Sequence, residues 1–391
     1  MIAVENGTIY TPSQVIPDGV LLVEDQRIRA IGKRGDFAIP EDTQRVDARG
    51  GNIVPGFVDM HMHGAQNYDV MDRQIASLQA MSARLPRYGV TSFVPTTVTA
   101  PLPAIAQVLQ TARAAKRVEW SGAEMLGLHI EGPYLCAQQR GAHRQDLLCT
   151  PQPDDIAMFS QYSDIIRSFT LAPELPGSLD LIRALKERGI LVSAGHTDAI
   201  EEEMERAISA GLSHVTHMFG NMGTLRRVNL RRVAGVVEAT LLDDRLTTEV
   251  IGDGYHISPG LMKLVLRIKG PERLAIVTDA SPLMGLPPGA YKIWGIDVIL
   301  EESISFVADR SAYAGSVVPM DRCLRQVIAH TGVSLRDALR MVTLTPATIL
   351  GVANRKGSLA VGKDADIVVL NRNLNVAQTM TAGRIVFSAE G

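Results

Sequence analysis

The chain has 391 residues, 46% of them hydrophobic, and a formal net charge of −3 at pH 7. That length can bury one barrel-sized core plus a small second domain, and the charge is too balanced for bulk nucleic-acid binding or for disorder. Cys136, Cys149 and Cys323 offer neither a disulfide framework nor a thiolate zinc cluster; residues 1–7 lack a basic, apolar leader, no run of about 18 residues is apolar, and the expectation is a cytoplasmic protein that is neither secreted nor in a membrane.

Residues 1–55 read as short strands. Gly19-Val20-Leu21-Leu22-Val23 and Arg27-Ile28-Arg29-Ala30-Ile31 flank the turn Glu24-Asp25-Gln26, and Gly50-Gly51 marks a break. At the other end, Asp366-Ile367-Val368-Val369-Leu370 and Gly383-Arg384-Ile385-Val386-Phe387 read the same way. The expected division is a small β-sandwich domain built from residues 1–55 and 352–391, with residues 56–351 inserted between its halves.

The inserted segment alternates apolar runs with helical patterns, and five of the runs end in a metal-capable or acid–base side chain. Ile53-Val54-Pro55-Gly56-Phe57-Val58-Asp59 leads to His61 and His63. Residues i and i+2 of an extended segment point the same way, so both imidazoles can reach one cation. Met125-Leu126-Gly127-Leu128-His129-Ile130 ends at Glu131, and Ile190-Leu191-Val192-Ser193-Ala194-Gly195 ends at His196. Leu212-Ser213-His214-Val215-Thr216 ends at His217, and Leu274-Ala275-Ile276-Val277-Thr278 ends at Asp279. Nearly continuous apolar runs are strands covered on both faces. Functional groups at the C-terminal ends of such strands are what a (β/α)8 enzyme requires. Taken singly, each histidine reads as a core or loop residue, and Asp279 as a helix cap. Together they point to an α/β fold, a (β/α)8 TIM-like metal-dependent hydrolase barrel. Imidazole and carboxylate donors suit Zn, Fe, Co, Ni or Mn, and donor type alone does not choose among them.

These runs carry a resemblance. Pro55-Gly56-Phe57-Val58-Asp59-x-His61-x-His63-Gly64, His129-Ile130-Glu131-Gly132-Pro133, Gly195-His196-Thr197, Thr216-His217 and Thr278-Asp279-Ala280 resemble the motifs of the amidohydrolase superfamily. Gly357-Ser358-Leu359-x-x-Gly362-Lys363-Asp364-Ala365-Asp366 resembles the closing strands of its small domain. Gly141-Ala142-His143, Leu171-Ala172-Pro173-Glu174, Asp253-Gly254-Tyr255-His256 and Ala314-Gly315-Ser316 are similar to a narrower family within it, the N-acetylglucosamine-6-phosphate deacetylases. The likeness runs the whole length and implies hydrolysis of the acetamide of N-acetylglucosamine-6-phosphate to glucosamine-6-phosphate and acetate.

The same resemblance implies that Glu131, His196 and His217 hold one divalent metal, with zinc the first candidate. His61 and His63 would support a second ion, with Glu131 bridging and Asp279 touching one of the two. Asp279 would carry the catalytic proton. His143, beside Ala142 on a loop, would reach the partner's phosphate pocket in a homodimer, while His256 binds the sugar in its own chain. Ala314, Gly315 and Ser316 would line the acetyl end. Phe219-Gly220-Asn221-Met222 stands where the family has Phe-Asn-Ala-Met, so the contacts of Gly220 and Asn221 to phosphate are altered. Arg227 is the expected phosphate arginine among Arg226, Arg227, Arg231 and Arg232. The altered segment leaves N-acetylgalactosamine-6-phosphate, an unphosphorylated acetamido sugar or a non-sugar N-acyl compound as alternative substrates. A barrel that only bound sugar or metal would be expected to have lost Glu131, His196, His217 or Asp279, and none is missing.

Overall fold

The structure is a computed structural model that describes residues 1–389. Both ends of the chain meet in one eight-stranded sheet. The N-terminal part supplies Ile2–Tyr10, Val15–Glu24, Arg27–Lys33, Gln44–Asp47 and Asn52–Pro55; the C-terminal part supplies Ile367–Leu370, Val376–Thr381 and Arg384–Ser388. The seam is the antiparallel pair Asn52–Pro55 with Ile367–Leu370, in which Ile367 lies opposite Pro55 and Leu370 opposite Asn52. Val4, Ile9, Leu21, Val23, Ile53, Ile367, Val369 and Met380 form a core of the sheet's own.

An ionic cluster ties this sheet to the middle of the chain. Lys356 is 1% exposed, and its Nζ lies 2.7 Å from Asp366, 2.9 Å from Asp364 and 2.8 Å from Glu124. Arg355 joins Glu124 and Asp364 from the side. A buried ammonium is tolerated only when acids surround it in this way.

Between the two ends runs a parallel α/β array. Leu128–Glu131, Ile166–Leu171, Leu191–Ala194, His214–Val215, Thr247–Ile251 and Leu274–Val277 form a six-stranded parallel sheet in that order. Phe57–Met62, Val90–Pro95 and Glu124–Met125 form a second parallel set. Two parallel bridges connect the sets, Thr96 to His129 and Met62 to Ala280. Every residue of Phe57–Met62, Val90–Pro95, Leu128–Glu131 and Leu274–Val277 is buried, as strands covered on both faces must be. Helices such as Leu102–Ala115, Ser178–Glu187 and Pro259–Lys269 connect successive strands, each burying one apolar stripe. Among the described residues, no helix is long and apolar enough to cross a membrane.

Two β-structures were not anticipated from the sequence. A four-stranded antiparallel sheet, Gly289–Ile293, Ile296–Glu301, Ile304–Val307 and Tyr313–Ser316, interrupts the βα alternation after Leu274–Val277. Its first turn is Trp294-Gly295, with φ of +54° and +78° between the paired Ile293 and Ile296, a two-residue hairpin of the kind strand twist favours. Asn229-Leu230, with φ of +46° and +70°, closes the other in the same way, a hairpin of Arg226–Val228 and Arg231–Val233. Leucine and tryptophan do not advertise positive φ, so both turns escape a reading based on glycine and asparagine pairs.

Candidate metal centre and active site

Six side chains converge at the C-terminal ends of the parallel strands. His61 lies within Phe57–Met62 and His63 one residue beyond it; both rings are buried, with centroids 5.4 Å apart. Glu131 is the last residue of its strand. His196, His217 and Asp279 each sit two residues past theirs, at φ of +47°, +26° and +49°. Non-glycine residues in the left-handed region are costly and persist where the surroundings over-determine them. Here the turn aims each side chain back over the strand ends.

Glu131 divides the histidines between its two oxygens. Oε1 lies 3.3 Å from His196 Nε2 and 3.1 Å from His217 Nε2, while Oε2 lies 3.6 Å from His61 Nε2 and 3.5 Å from His63 Nε2. Asp279 Oδ1 lies 3.4 Å from His61 Nε2 and 3.0 Å from His63 Nε2. Donors bonded tetrahedrally to one ion at about 2.0–2.1 Å are separated by about 3.3 Å, so these spacings fit ions placed between them.

Hydrogen bonding on the far side of three of the four rings fixes which nitrogen carries the proton; His217 Nδ1 is buried without a partner. His63 Nδ1 is 3.0 Å from the Thr96 carbonyl and His196 Nδ1 is 2.8 Å from the Gln139 carbonyl. Carbonyl oxygens only accept, so Nδ1 is protonated in both and each Nε2 turns a lone pair to the cluster. His61 Nδ1 is 2.6 Å from Glu249 Oε1 with the same consequence. His61 Nε2 and Asp279 Oδ1 are buried without a hydrogen-bond partner. Convergent lone pairs, two carboxylates and orphaned buried acceptors fit a divalent cation.

The electrostatics agree. Burial would depress His61, but Glu249, Glu131 and Asp279 outweigh it and hold the ring well above the usual imidazole range, so that Nε2 takes up a proton unless a cation stands in its place. Burial pushes the Glu131 carboxyl up; His61, His196 and His217 more than reverse this and hold it well below the carboxylate range. For Asp279, burial is likewise overcome, chiefly by His61 and His63, and the carboxyl is held at about 2. The cluster is electron-rich and draws in positive charge.

His143 is built the opposite way. The backbone N–H of Thr99 donates to its Nδ1 at 3.2 Å, so Nε2 carries the proton and points to Glu131 Oε2, 3.7 Å away. Burial first, then the His196 charge, push its pKa to about 3, which keeps the ring neutral. His143, Glu131 and His196 are close enough to share an ion, but a protonated Nε2 cannot ligate, and His143 is a donor aimed at the site. It is 9% exposed and packs edge-on against His196 of its own chain. The expectation that it reaches the partner's phosphate pocket is therefore corrected: it is committed to its own site.

A cavity of about 470 Å³ opens over the cluster, lined among others by His63, Glu131, His196, His217 and Asp279. Ala142, His143, Gly220, Asn221, His256 and Gly315 also line it. His256 Nδ1 is 2.7 Å from Asp253 Oδ2, and its ring lies 4.6 Å from that of Tyr313. Three expected substrate residues are not at the cavity wall. Ala314 is fully buried, and Ser316 is occupied in accepting from the Val318 N–H and bonding Asp279 and Ser281 through its backbone. They brace the Asp279 turn, and Gly315 between them has room for no side chain, since a Cβ would stand 2.9 Å from the Asp279 carbonyl oxygen. Arg227 lies on the exposed Arg226–Val228 hairpin strand, outside its own chain's cavity, whereas Arg144 and Arg310 line it.

Sequence reasoning missed Glu249, His129, Trp294, Arg144 and Arg310. Glu249 did leave a signal, a lone acid within the strand Thr247–Ile251. Trp294 left none: its ring packs 5.1 Å from His63 and its Nε1 donates to Asp69 at 2.6 Å, contacts made across the fold by the unanticipated hairpin.

Parallel strands that deliver imidazoles and carboxylates to one electron-rich point define an α/β metal-dependent hydrolase. The amidohydrolase family model matches residues 52–386, and the chain belongs to the amidohydrolase family. It is 34% identical to the N-acetylglucosamine-6-phosphate deacetylase of Bacillus subtilis, covering 97% of this chain and 95% of that protein. It is 36% identical to the N-acetylgalactosamine-6-phosphate deacetylase of Escherichia coli O157:H7, covering 85% and 87%. The solved structure of a variant N-acetyl-D-glucosamine-6-phosphate deacetylase from Mycobacterium smegmatis in complex with N-acetyl-D-glucosamine-6-phosphate superposes with a TM-score of 0.90, at 30% identity and 99% coverage of both chains.

Proposed function

We propose that this protein hydrolyses the acetamide of N-acetylglucosamine-6-phosphate, giving glucosamine-6-phosphate and acetate. The observation that carries the chemistry is Glu131 divided between two histidine pairs with Asp279 beside one of them; the substrate is carried by full-length similarity to deacetylases of that name. A cavity of about 470 Å³ suits one phosphorylated hexosamine. The relative acting on the galactosamine epimer supports a second reading, the 4-epimeric substrate, and the altered Gly220-Asn221 segment favours testing it first.

The architecture behind this reading is a (β/α)8 barrel of residues 56–351, a reading that the two parallel bridges at the sheet edges support. The proposed small β-sandwich domain is residues 1–55 and 352–391, of which 390 and 391 lie outside the described residues. Glu131, His196 and His217 would hold one ion, and His61 and His63 with Glu131 and Asp279 would hold a second, zinc being the first candidate for this donor set. When bound, such an ion supplies a Lewis acid that makes hydroxide available near neutral pH and polarises the acetamide carbonyl.

The chain's own residues do the rest. Asp279, ionised at every working pH, accepts the proton from the attacking water and returns it to the departing sugar nitrogen. His143 Nε2–H donates to the carbonyl oxygen as negative charge develops there. His256 and the backbone N–H of Asn221 serve the sugar and its phosphate, while the Gly220 N–H is spent on the His217 carbonyl and Gly220 only lines the cavity. Arg227 can serve a phosphate only when a second chain presents it. Exposed Leu225 and Leu230, 54% and 79% exposed beside it, favour such a contact, so a homodimer is retained with Arg227 in place of His143 as the donated residue. Three free cysteines suit a cytoplasmic setting. The test is a deacetylation assay on N-acetylglucosamine-6-phosphate, its galactosamine epimer and both unphosphorylated sugars. The glucosamine phosphate is expected to be cleaved with the highest kcat/KM, and equal efficiency on all four would remove the reading.

A further inference from the structure

Glu249 is a buried acid in the middle of a strand, 2% exposed, and belongs to none of the ligand positions above. Its Oε1 lies 2.6 Å from His61 Nδ1 and accepts the backbone N–H of His217 at 3.2 Å. Its Oε2 lies 3.4 Å from His214 Nε2. One carboxylate thus touches both halves of the metal centre, through a ring on one side and a main chain on the other.

His61 depends on this carboxylate more than the other histidines depend on their partners. His63 and His196 present Nδ1 to neutral backbone carbonyls. His61 presents it to an anion, and among the described residues no other acceptor reaches that nitrogen. The opposite wall is the ring of His129, edge-on at 4.7 Å and itself spent on Thr96 and Thr170. A carboxylate on the distal nitrogen fixes ring orientation and tautomer and makes the proximal nitrogen a stronger ligand, an arrangement whose loss typically weakens metal binding by about 10–100-fold.

We propose that Glu249 is the positioning residue that makes the His61 side of the centre a metal site, setting His61 with its Nε2 lone pair toward Glu131 and Asp279. This rests on the reading that His61 and His63 hold a second ion. Without Glu249, His61 can rotate or take the other tautomer, and the second site is lost before the first, because His196 keeps its bond to the Gln139 carbonyl and His217 loses one main-chain hydrogen bond rather than a bond to its ring.

The experiment titrates metal-stripped protein with Co²⁺, following visible absorption and the metal-to-protein ratio, for wild type, Glu249→Gln, Glu249→Ala and His61→Ala. Glu249→Gln keeps the shape and one acceptor, so the fold is retained even if the alanine variant is unstable. Wild type is expected to take up two ions. In Glu249→Gln the first uptake should match wild type while half-saturation of the second moves to about 10–100-fold higher free Co²⁺. An unchanged second step in Glu249→Gln and Glu249→Ala overturns the proposal. Wild type and His61→Ala both stopping at one ion overturns the two-ion reading itself, and is distinguished because it appears without touching Glu249.

Discussion

His143 Nε2 stands 3.7 Å from Glu131 Oε2 of the same chain, with the Thr99 N–H fixing its far nitrogen as an acceptor. On the proposed reading, a neutral histidine so placed donates its Nε2–H toward the reacting carbonyl and does not bind metal. His143→Ala is therefore expected to lower kcat by roughly 10²–10³, the cost of removing one oxyanion donor, with unchanged metal content. Because its pKa is pushed to about 3, it contributes no step to the rate profile between pH 5 and 8. Loss of an ion from the variant would make His143 a ligand and end this assignment.

Asp279→Asn preserves shape and removes the base. The turnover rate should drop by about 100-fold or more, in the range of general acid–base contributions, while KM changes little and the melting temperature holds within a few degrees. Near-normal turnover would mean that another group moves the proton.

Phosphate selectivity tests the hairpin. The phosphorylated sugar should be preferred by on the order of a hundredfold in kcat/KM, since two charge-assisted bonds contribute roughly 1.5–3 kcal/mol each. Arg227→Ala should remove much of that preference by raising KM for the phosphorylated sugar alone, and sedimentation should find wild type dimeric. If Arg227→Ala is silent and Arg144→Ala or Arg310→Ala takes the preference instead, the cavity's own arginines read the phosphate and no second chain is needed.

The ionic seam around Lys356 predicts acid sensitivity. Burial pushes Glu124 up, but Arg355 and Lys356 outweigh it and hold the carboxyl at about 2, against an ordinary 4.5. A carboxyl depressed on folding stabilises fully above its unfolded value, so this share is complete above about pH 4.5 and disappears as pH falls toward 2. Lys356→Met should cost about 3–5 kcal/mol in denaturant unfolding at pH 7 by stranding Asp364 and Asp366, and should flatten the loss of stability between pH 4.5 and 2. A variant as stable as wild type would mean that Arg355 alone neutralises the cluster.

The sequence by itself determined which side chains gather at the strand ends and the order of the elements that carry them. Apolar runs that end in His61, His63, Glu131, His196, His217 and Asp279 carry strand identity and functional group in the same few residues, because in a parallel α/β array the site is built at strand ends. The β-rich character of both termini was legible for a similar reason, local alternation bounded by turns. What only the tertiary structure decided were relations between segments far apart in the chain. His143 lies 12 residues beyond Glu131, yet nothing local says that the Thr99 N–H will donate to its Nδ1, leave the ring proton on Nε2 and hold it in its own site. Glu249 stands 188 residues from His61 and becomes its anchor only when two strands close on the same interior. Arg227 and Trp294 were moved, one out of the cavity and one into it, by hairpins whose turns use leucine and tryptophan at positive φ. Periodicity reports which face of an element is covered; which distant side chain covers it, and therefore where each proton sits, is settled by packing.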